Sequence, residues 1–397
     1  MPASPRPRTT RGSLRPAATA EAVAAAGLPN SLSEQIVARV FNFASGPAVL
    51  PEPVLRQAQA ELLDWGGRGF SVLETSHRAE AFVEVMQQTE GLLREALAVP
   101  ANYRILFMQG GGHQQFAMVP INLLGARTAA DYIVTGHWTR GAVDEAARFC
   151  SVGIAADTLA AGATRVPAQA ELRLNPEAAY AYYCPNETIH GVEFDYVPDT
   201  GAVPLVADAS SSFLSRPLDI ARHGLVFACA QKNFGPAGLT AVIVREDLIG
   251  HAARRWPTML DYKTYADARS MWNTPVTFAV YLAHLVLLWL REQGGVAAIE
   301  RQNIAKAALL YDTIDGSGGF YLNRVAPANR SRMNVPFSLR DDALTETFLR
   351  EAESHGMFQL KGHRAVGGMR ASIYNAMPLA GVQTLAQFMR EFQRVRG

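Results

Sequence analysis

Three consecutive glycines, at positions 110–112, stand between an apolar run and a segment with helical periodicity. Backbone N–H groups at the start of a helix bind phosphate, and glycine lets a phosphate approach the backbone closely. A dinucleotide-binding fingerprint would need a further glycine where Gln115 stands, although Asp131 supplies an acid farther along the chain. The sequence therefore predicts a phosphate-binding turn and leaves open which phosphate it holds.

An acid and a lysine follow two other apolar runs. Asp208 closes the run 204–208, and Lys232 lies between the run 226–230 and the Gly- and Pro-containing segment 233–238. Apolar surroundings are expected to lower the pKa of Lys232 from about 10.4, which makes its amine a candidate for Schiff-base chemistry. Taken singly, the two residues have ordinary explanations as a solvated lysine and a turn aspartate.

Taken together, these residues fit the chemistry of one cofactor. Pyridoxal 5′-phosphate needs a lysine for attachment, an acid at its pyridine nitrogen, a flat apolar face and backbone amides for its phosphate. Lys232 and Asp208 supply the first two. Trp138, which follows a third apolar run, supplies the face, and residues 111–114 supply the amides. The separation of Asp208 and Lys232 leaves room for one crossover between neighbouring parallel strands.

The elements that must position these residues are apolar runs that alternate with helical stretches. The candidate strands cover residues 104–108, 131–135, 178–184, 204–208, 226–230 and 240–244. Such alternation predicts an α/β fold with a mostly parallel sheet. Ligands of parallel sheets bind at the carboxyl ends of the strands, so the residues that follow each strand should converge at one edge.

We expect two domains after an N-terminal extension. Residues 40–295 are expected to form a large α/β domain, and 296–397 a smaller α+β domain against which 40–52 pack. Residues 1–39 are expected to be a disordered extension, with a transit peptide as the alternative. The longest apolar run, 278–290, is shorter than the roughly 20 residues that span a bilayer, so no membrane partner is expected.

The bulk composition excludes several functional classes. The chain has 397 residues, of which 49% are hydrophobic and 18% charged, and its formal net charge is +1. The lack of a basic surplus argues against nucleic-acid partners. Cys150, Cys184 and Cys229 are too scattered for a disulfide framework, and neither they nor the histidines show metal-binding spacing. We therefore expect a cytoplasmic protein without a metal.

Eight stretches of the chain, in order, resemble the phosphoserine aminotransferase family, a class V branch of the fold-type I pyridoxal-phosphate enzymes. They are residues 41–51, 71–78, 183–193, 207–219, 230–239, 272–281, 329–337 and 361–378. The resemblance covers nearly the whole chain from about residue 41. It implies a mostly parallel seven-stranded sheet, a pyridoxal 5′-phosphate cofactor and a homodimer with active sites at the subunit interface.

The resemblance implies roles for nine residues in binding the cofactor. Lys232 would carry it, Asp208 would pair with its ring nitrogen, and Trp138 would stack on its ring. Thr188 would bond its 3′-oxygen, and Gly112, His113 and Gln231 would hold its phosphate. Asn273 and Thr274 would reach the same phosphate from the other subunit. His113 and Gln114 stand where bacterial members often carry Arg-Gly. We expect backbone N–H groups to hold the phosphate, so that this change matters little.

The resemblance also implies the reaction and the substrate-binding residues, which are Ser45, His77, Arg78, His363, Arg364 and Arg370. L-Glutamate and 3-phosphohydroxypyruvate would give 2-oxoglutarate and O-phospho-L-serine, with Lys232 moving the α-proton. The family often accepts a phosphorylated hydroxythreonine too, on the route to pyridoxal phosphate. Because these substrates are at least doubly anionic, arginines suit them. We assign Arg370 to the α-carboxylate, and Arg78 with His77, His363 and Arg364 to the distal anion.

Other functions remain open. Another class V aminotransferase would act on a different small acidic substrate. A cysteine desulfurase would need a reactive cysteine on a mobile loop, whereas the three cysteines lie in or beside apolar elements. A nucleotide-dependent oxidoreductase would use the glycine turn, and a non-catalytic protein would keep the fold without needing Lys232.

Overall fold

The computed structural model describes residues 39–253 and 255–397 of the chain. The predicted disordered extension and its alternative, a transit peptide, therefore concern residues outside the described part. Residues 40–397 form one compact unit. No helix within the described ranges is both long and apolar enough to cross a membrane.

A seven-stranded sheet forms the centre of this unit. Its strands are β1 (Tyr103–Met108), β2 (Ala129–Val134), β3 (Ser151–Asp157), β4 (Ala181–Tyr183), β5 (Leu205–Asp208), β6 (Leu225–Cys229) and β7 (Thr240–Arg245). They lie in the order β1-β7-β6-β5-β4-β2-β3. Only β7 is antiparallel to its neighbours, with Thr240 opposite both Met108 and Cys229. The carboxyl ends of β1–β6 therefore share one edge, and the predicted α/β fold with a mostly parallel sheet is confirmed.

Nine α-helices pack around the sheets in the part of the chain that the structure describes. They are α1 (Glu52–Ala60), α2 (Glu80–Ala96), α3 (Gly111–Leu123), α4 (His137–Ala146), α5 (Tyr262–Asp267), α6 (Thr277–Glu292), α7 (Gly295–Asp315), α8 (Thr345–Ser354) and α9 (Leu379–Arg396). Helix α6 packs against α1, α2 and α7 and buries most of its faces. This burial explains why the longest apolar run of the sequence lies there.

Short strands complete the fold. A three-stranded antiparallel sheet joins Tyr321–Leu322, Asn334–Leu339 and Met369–Ser372. Phe41–Asn42 pairs with Met357–Phe358. A hairpin of Asn186–Glu187 and Val192–Glu193 follows β4. This hairpin and the segment that precedes Met369 both approach the carboxyl edge of the large sheet, as described below.

Apolar side chains cover both faces of the large sheet. On β1, Ile105 and Phe107 belong to one buried cluster, whereas Leu106 and Met108 belong to another, as strand alternation requires. A third cluster consists mainly of residues from 307 to 392. Burial on both faces fixes the strand ends, and the side chains that follow them, in a rigid frame.

Each of the six predicted strands overlaps a strand of the large sheet, and the predicted helix at 277–293 coincides with α6. Strand β3 was not predicted. It is an edge strand beside β2, its residues are largely half-buried, and it contains Gly153 and two alanines in place of a bulky apolar run. The division at residue 295 into two domains stays a prediction.

A buried lysine on α7 fixes the segment that follows the last strand. Lys306 is 2% exposed, and its ammonium donates hydrogen bonds to the carbonyl oxygens of Ile373, Tyr374 and Met377 at 2.9, 2.8 and 3.1 Å. Burial lowers the pKa of Lys306 to about 7. The side chain therefore anchors a segment that begins three residues after Arg370.

Replacing Lys306 with methionine should lower the free energy of unfolding by about 2–4 kcal/mol, because buried carbonyl oxygens lose their donor. The pKa of Lys306 is lower in the folded chain than in the unfolded chain. The unfolded state thus binds more protons between about pH 7 and pH 10, and stability contributed by this residue rises with pH there. Urea unfolding at several pH values across this window should show that the free energy of unfolding rises less with pH for Lys306→Met than for the wild type. The same pH dependence in the variant and the wild type would contradict the lowered pKa of Lys306. Lys263→Met, at an exposed position, serves as the control.

Candidate active site

A cavity of about 410 Å³ lies at the carboxyl edge of the large sheet. The segments that follow β1, β2, β4, β5 and β6 all contribute to its wall. Ten residues singled out from the sequence line it: Ser45, Gly112, His113, Trp138, Thr188, Asp208, Gln231, Lys232, His363 and Arg370. The structure thus brings together residues that are more than 300 positions apart in the chain.

Lys232 follows β6 and reaches across the cavity. Its Nζ donates a hydrogen bond to Thr188 Oγ1 at 3.0 Å and lies 5.7 Å from the centre of the Trp138 ring. The prediction of a lowered pKa is wrong. Burial is the largest influence and lowers the pKa, but Tyr374, Asp208 and the thiols of two cysteines together outweigh it and raise the pKa of Lys232.

Asp208 ends β5, the strand parallel to β6, and its Cα is paired with that of Phe227. Its carboxylate is buried and accepts a hydrogen bond from the backbone N–H of Ser210 at 3.0 Å. Burial raises the pKa of Asp208, and Ser210, Lys232 and His113 act in the opposite direction. The carboxylate is therefore poorly compensated within the chain and suits a cationic or N–H donor partner.

The glycine turn leads directly into α3. Gly110 is the N-cap residue, with φ of 91°, and Gly111 has φ of 65°, so both occupy the left-handed region that favours glycine. A Cβ added at Gly112 would lie 3.4 Å from Cys229 Sγ. The predicted turn at a helix start is thus present, and its three glycines line the cavity.

Trp138 lies in the first turn of α4, and its backbone is held by Glu187, an acid that was not predicted to belong to the site. Glu187, fully buried, accepts hydrogen bonds from the backbone N–H groups of Trp138 and Thr139 at 3.1 and 2.9 Å, and from Thr139 Oγ1 at 2.8 Å. Its carboxylate thereby satisfies the orphan donors of the helix start. Glu187 is a positioning residue for Trp138. The sequence signal that could have identified Glu187 is an acid between Asn186 and Thr188, directly after a buried strand.

Arg370 enters the cavity from the small three-stranded sheet. Its Nη2 donates to Ser45 Oγ at 2.7 Å, and its Nε is buried without a hydrogen-bond partner in the described structure. No ion pair among the described residues includes Arg370. Tyr374 donates its hydroxyl to the carbonyl of the same Ser45 at 2.8 Å. A buried guanidinium with unused donors is suited to a carboxylate of a small ligand.

Five predicted site residues do not line the cavity: His77, Arg78, Asn273, Thr274 and Arg364. Arg78 is exposed in the loop before α2, and Arg364 is exposed in the loop that carries His363. Asn273 lines a separate, much smaller cavity, and the carbonyl of Thr274 accepts a hydrogen bond from Gln109 at 3.3 Å. In the structure of the single chain these five residues therefore lie outside the cavity wall.

Comparison with known proteins identifies close relatives. The family model described as aminotransferase class-V matches residues 40–385. The chain is 57% identical over 358 residues to the phosphoserine aminotransferase of Acidithiobacillus ferrooxidans, and the match covers 90% of this chain and 99% of the relative. The corresponding enzyme of Laribacter hongkongensis is 56% identical, with the same coverage.

Solved structures give the same result. The phosphoserine aminotransferase from Bacillus circulans subsp. alkalophilus is similar with a TM-score of 0.89 and 45% identity, covering 90% of this chain and 99% of that one. The pyridoxal-phosphate-bound phosphoserine aminotransferase from Trichomonas vaginalis is similar with a TM-score of 0.84 and 40% identity, covering 89% and 100%.

Proposed function

Because the chain belongs to the class-V aminotransferase family, we propose that it transfers the amino group of L-glutamate to 3-phosphohydroxypyruvate, giving O-phospho-L-serine and 2-oxoglutarate. The observation that carries the proposal is the meeting of three groups in one cavity. They are the amine of Lys232, the buried carboxylate of Asp208 and the guanidinium of Arg370. The family shows the chemistry, and the names shared by the near full-length relatives support the substrate.

The cavity fits pyridoxal 5′-phosphate, the cofactor that the Trichomonas vaginalis relative binds. The poorly compensated carboxylate of Asp208 would hold a proton on the pyridine nitrogen, and the indole of Trp138 would cover the ring. Lys232 would hold the cofactor covalently, and Thr188, which accepts a hydrogen bond from Lys232, would bond the 3′-oxygen. Backbone N–H groups at 111–113 would hold the phosphate, because α3 begins there.

When bound, the cofactor supplies an electron sink that lowers the cost of removing the α-proton of an amino acid. The amine of Lys232 would take that proton on Nζ and later return it as a general acid. The hydroxyl of Thr188 at 3.0 Å keeps the amine oriented. Asp208 would keep the positive charge on the pyridine nitrogen, and Glu187 holds the backbone of Trp138 in place.

Arg370 binds the α-carboxylate that all four substrates share. Its Nη2 is already oriented by Ser45, so the remaining donors are presented in a fixed direction. His363, from the loop before the last strand, lines the same cavity and contributes to the distal anion site. Arg364 is next to it in the chain and reaches that site by a movement of its exposed side chain.

The protein works as a homodimer whose partner completes the site. His77, Arg78, Asn273 and Thr274 are predicted site residues that lie outside the cavity wall of their own chain. Large exposed apolar side chains stand close to both pairs in sequence: Leu63, Phe70 and Leu73 before the first, and Trp272 before the second. Leu63 is 84% and Trp272 56% exposed, which is typical of a protein-protein contact rather than a wetted surface.

A second substrate, the phosphorylated hydroxythreonine on the route to pyridoxal phosphate, fits the same groups because it carries the same α-carboxylate and phosphate. The proposed location is the cytoplasm, which suits the three free cysteines. Cys184 and Cys229 line the cavity, yet burial raises the pKa of both thiols, so neither is the reactive thiolate that a cysteine desulfurase needs.

A substrate panel tests the proposal. The purified enzyme, supplied with pyridoxal 5′-phosphate and 2-oxoglutarate, should consume O-phospho-L-serine with a kcat/KM at least about 100-fold above that for L-serine or L-alanine. The reason is that the unphosphorylated amino acids leave the distal cationic groups unpaired. Faster turnover of serine or alanine would instead support a class V aminotransferase with another substrate.

A further inference from the structure

Two histidines from separate elements pack against each other beside the proposed distal anion site, and a third lies close enough for them to affect its pKa. His363 lines the large cavity, whereas His190 lines a separate one. His137 is the first residue of α4, His190 lies in the turn of the hairpin after β4, and His363 lies in the loop before Met369–Ser372. The ring centres of His137 and His363 are 5.6 Å apart. The Nδ1 atom of His190 is buried and has no hydrogen-bond partner in the described structure.

The titratable groups that affect these rings are all basic side chains. Burial lowers the pKa of His190 to about 4, with His137 and His363 adding to the effect. Burial also lowers the pKa of His363, and the charges of His137, Arg370 and Arg364 lower it further. Among the described residues, every group whose charge shifts either pKa is therefore a base. No carboxylate is among the groups that shift these two pKa values, and a bound anion would raise both of them.

A phosphate group matches this cluster better than a carboxylate does. A phosphate ester carries a charge of about −1.5 to −2 and three terminal oxygens, whereas the side chain of glutamate ends in one charge and two oxygens. Rings whose centres are 5.6 Å apart can each direct a nitrogen toward oxygens of one phosphate group. The smaller carboxylate has too few oxygens to satisfy both rings and Arg364.

We propose that His137 is a specificity residue for the phosphorylated substrate: with His363, which lines the cavity, it binds the phosphate directly. The inference rests on the proposed function and goes beyond the residues that the family resemblance implies. His137 has a second contact, an edge-to-face packing with the Trp138 ring at 5.6 Å, so its loss must be separated from a disturbance of that ring.

The test compares the holoenzyme with His137→Phe, which keeps a ring but removes both nitrogens, and with His137→Gln, which keeps a donor. The ratio of kcat/KM for O-phospho-L-serine to kcat/KM for L-glutamate should fall about 10- to 100-fold in His137→Phe, as expected for lost hydrogen bonds to a charged group. His137→Gln should recover part of the ratio. The exposed His251→Phe is the matched control and should leave the ratio unchanged.

Inorganic phosphate gives an independent readout. It should inhibit the glutamate half-reaction of the wild type, and its inhibition constant should rise about tenfold or more in His137→Phe. An equal loss for both substrates would assign His137 only to packing on Trp138 and overturn the proposal, as would an unchanged ratio. If the wild type does not turn over phosphoserine at all, the proposed function fails instead, and the two failures are thereby distinguished.

Discussion

Lys232→Ala should lower kcat by about 10⁴-fold or more with either glutamate or phosphoserine. Lys232 Nζ is held by the Thr188 hydroxyl and lies 5.7 Å from the centre of the Trp138 ring, so alanine leaves that position without a base. The variant should still fold, since the alanine removes no apolar contact of the sheet. Single-turnover kinetics with each amino acid measure the effect.

The control for this variant is Lys263→Ala, which removes an exposed ammonium paired with Asp267 and should leave kcat unchanged. Addition of a small primary amine should restore part of the activity of Lys232→Ala, because the amine replaces the missing base without restoring the side chain. Activity within tenfold of wild type in the absence of added amine would show that another group moves the proton.

Arg370→Gln should lower kcat/KM by about 10²- to 10³-fold, and by a similar factor for glutamate and phosphoserine. Both substrates carry the α-carboxylate, so the loss of a buried, charge-assisted contact affects both alike. Glutamine can still donate to Ser45 Oγ, which accepts from Arg370 at 2.7 Å, so the packing of the small sheet should survive. Steady-state kinetics with the two amino acids measure the factor.

Arg350→Gln, on the exposed surface of α8, is the matched control. A loss confined to phosphoserine would place Arg370 at the distal phosphate rather than at the α-carboxylate. The equal loss expected for Arg370→Gln differs from the loss for phosphoserine alone that is expected for His137→Phe. The two variants together therefore separate the two ends of the substrate.

The sequence predicted the frame of the site because one rule connects strand order to position. Residues that follow parallel strands meet at one edge, so Trp138, Thr188, Asp208 and Lys232 could be grouped before any coordinates were known. The glycine turn could also be predicted, since Gly110 and Gly111 adopt the left-handed backbone conformation that glycine favours. The α/β class followed from the alternation of strands and helices.

What the sequence could not supply depends on contacts between distant segments. The pKa of Lys232 is raised by Tyr374, which stands more than 100 positions away and is brought close only by folding. The role of Glu187 was missed because an acid in a two-residue strand looks like a surface residue until α4 is placed above it. His77 and Arg78 do not line the cavity of their own chain, so we expect their placement at the site to depend on a second chain.

The central claim is that Lys232, Asp208 and Arg370 form one site that exchanges an amino group between a bound cofactor and phosphoserine. It is tested most directly by following the visible absorbance of the holoenzyme while substrates are added in sequence. O-Phospho-L-serine alone should remove the band that belongs to the cofactor linked to Lys232, 2-oxoglutarate should then restore it, and L-serine should leave it nearly unchanged. A band that phosphoserine leaves intact while serine removes it would contradict the account.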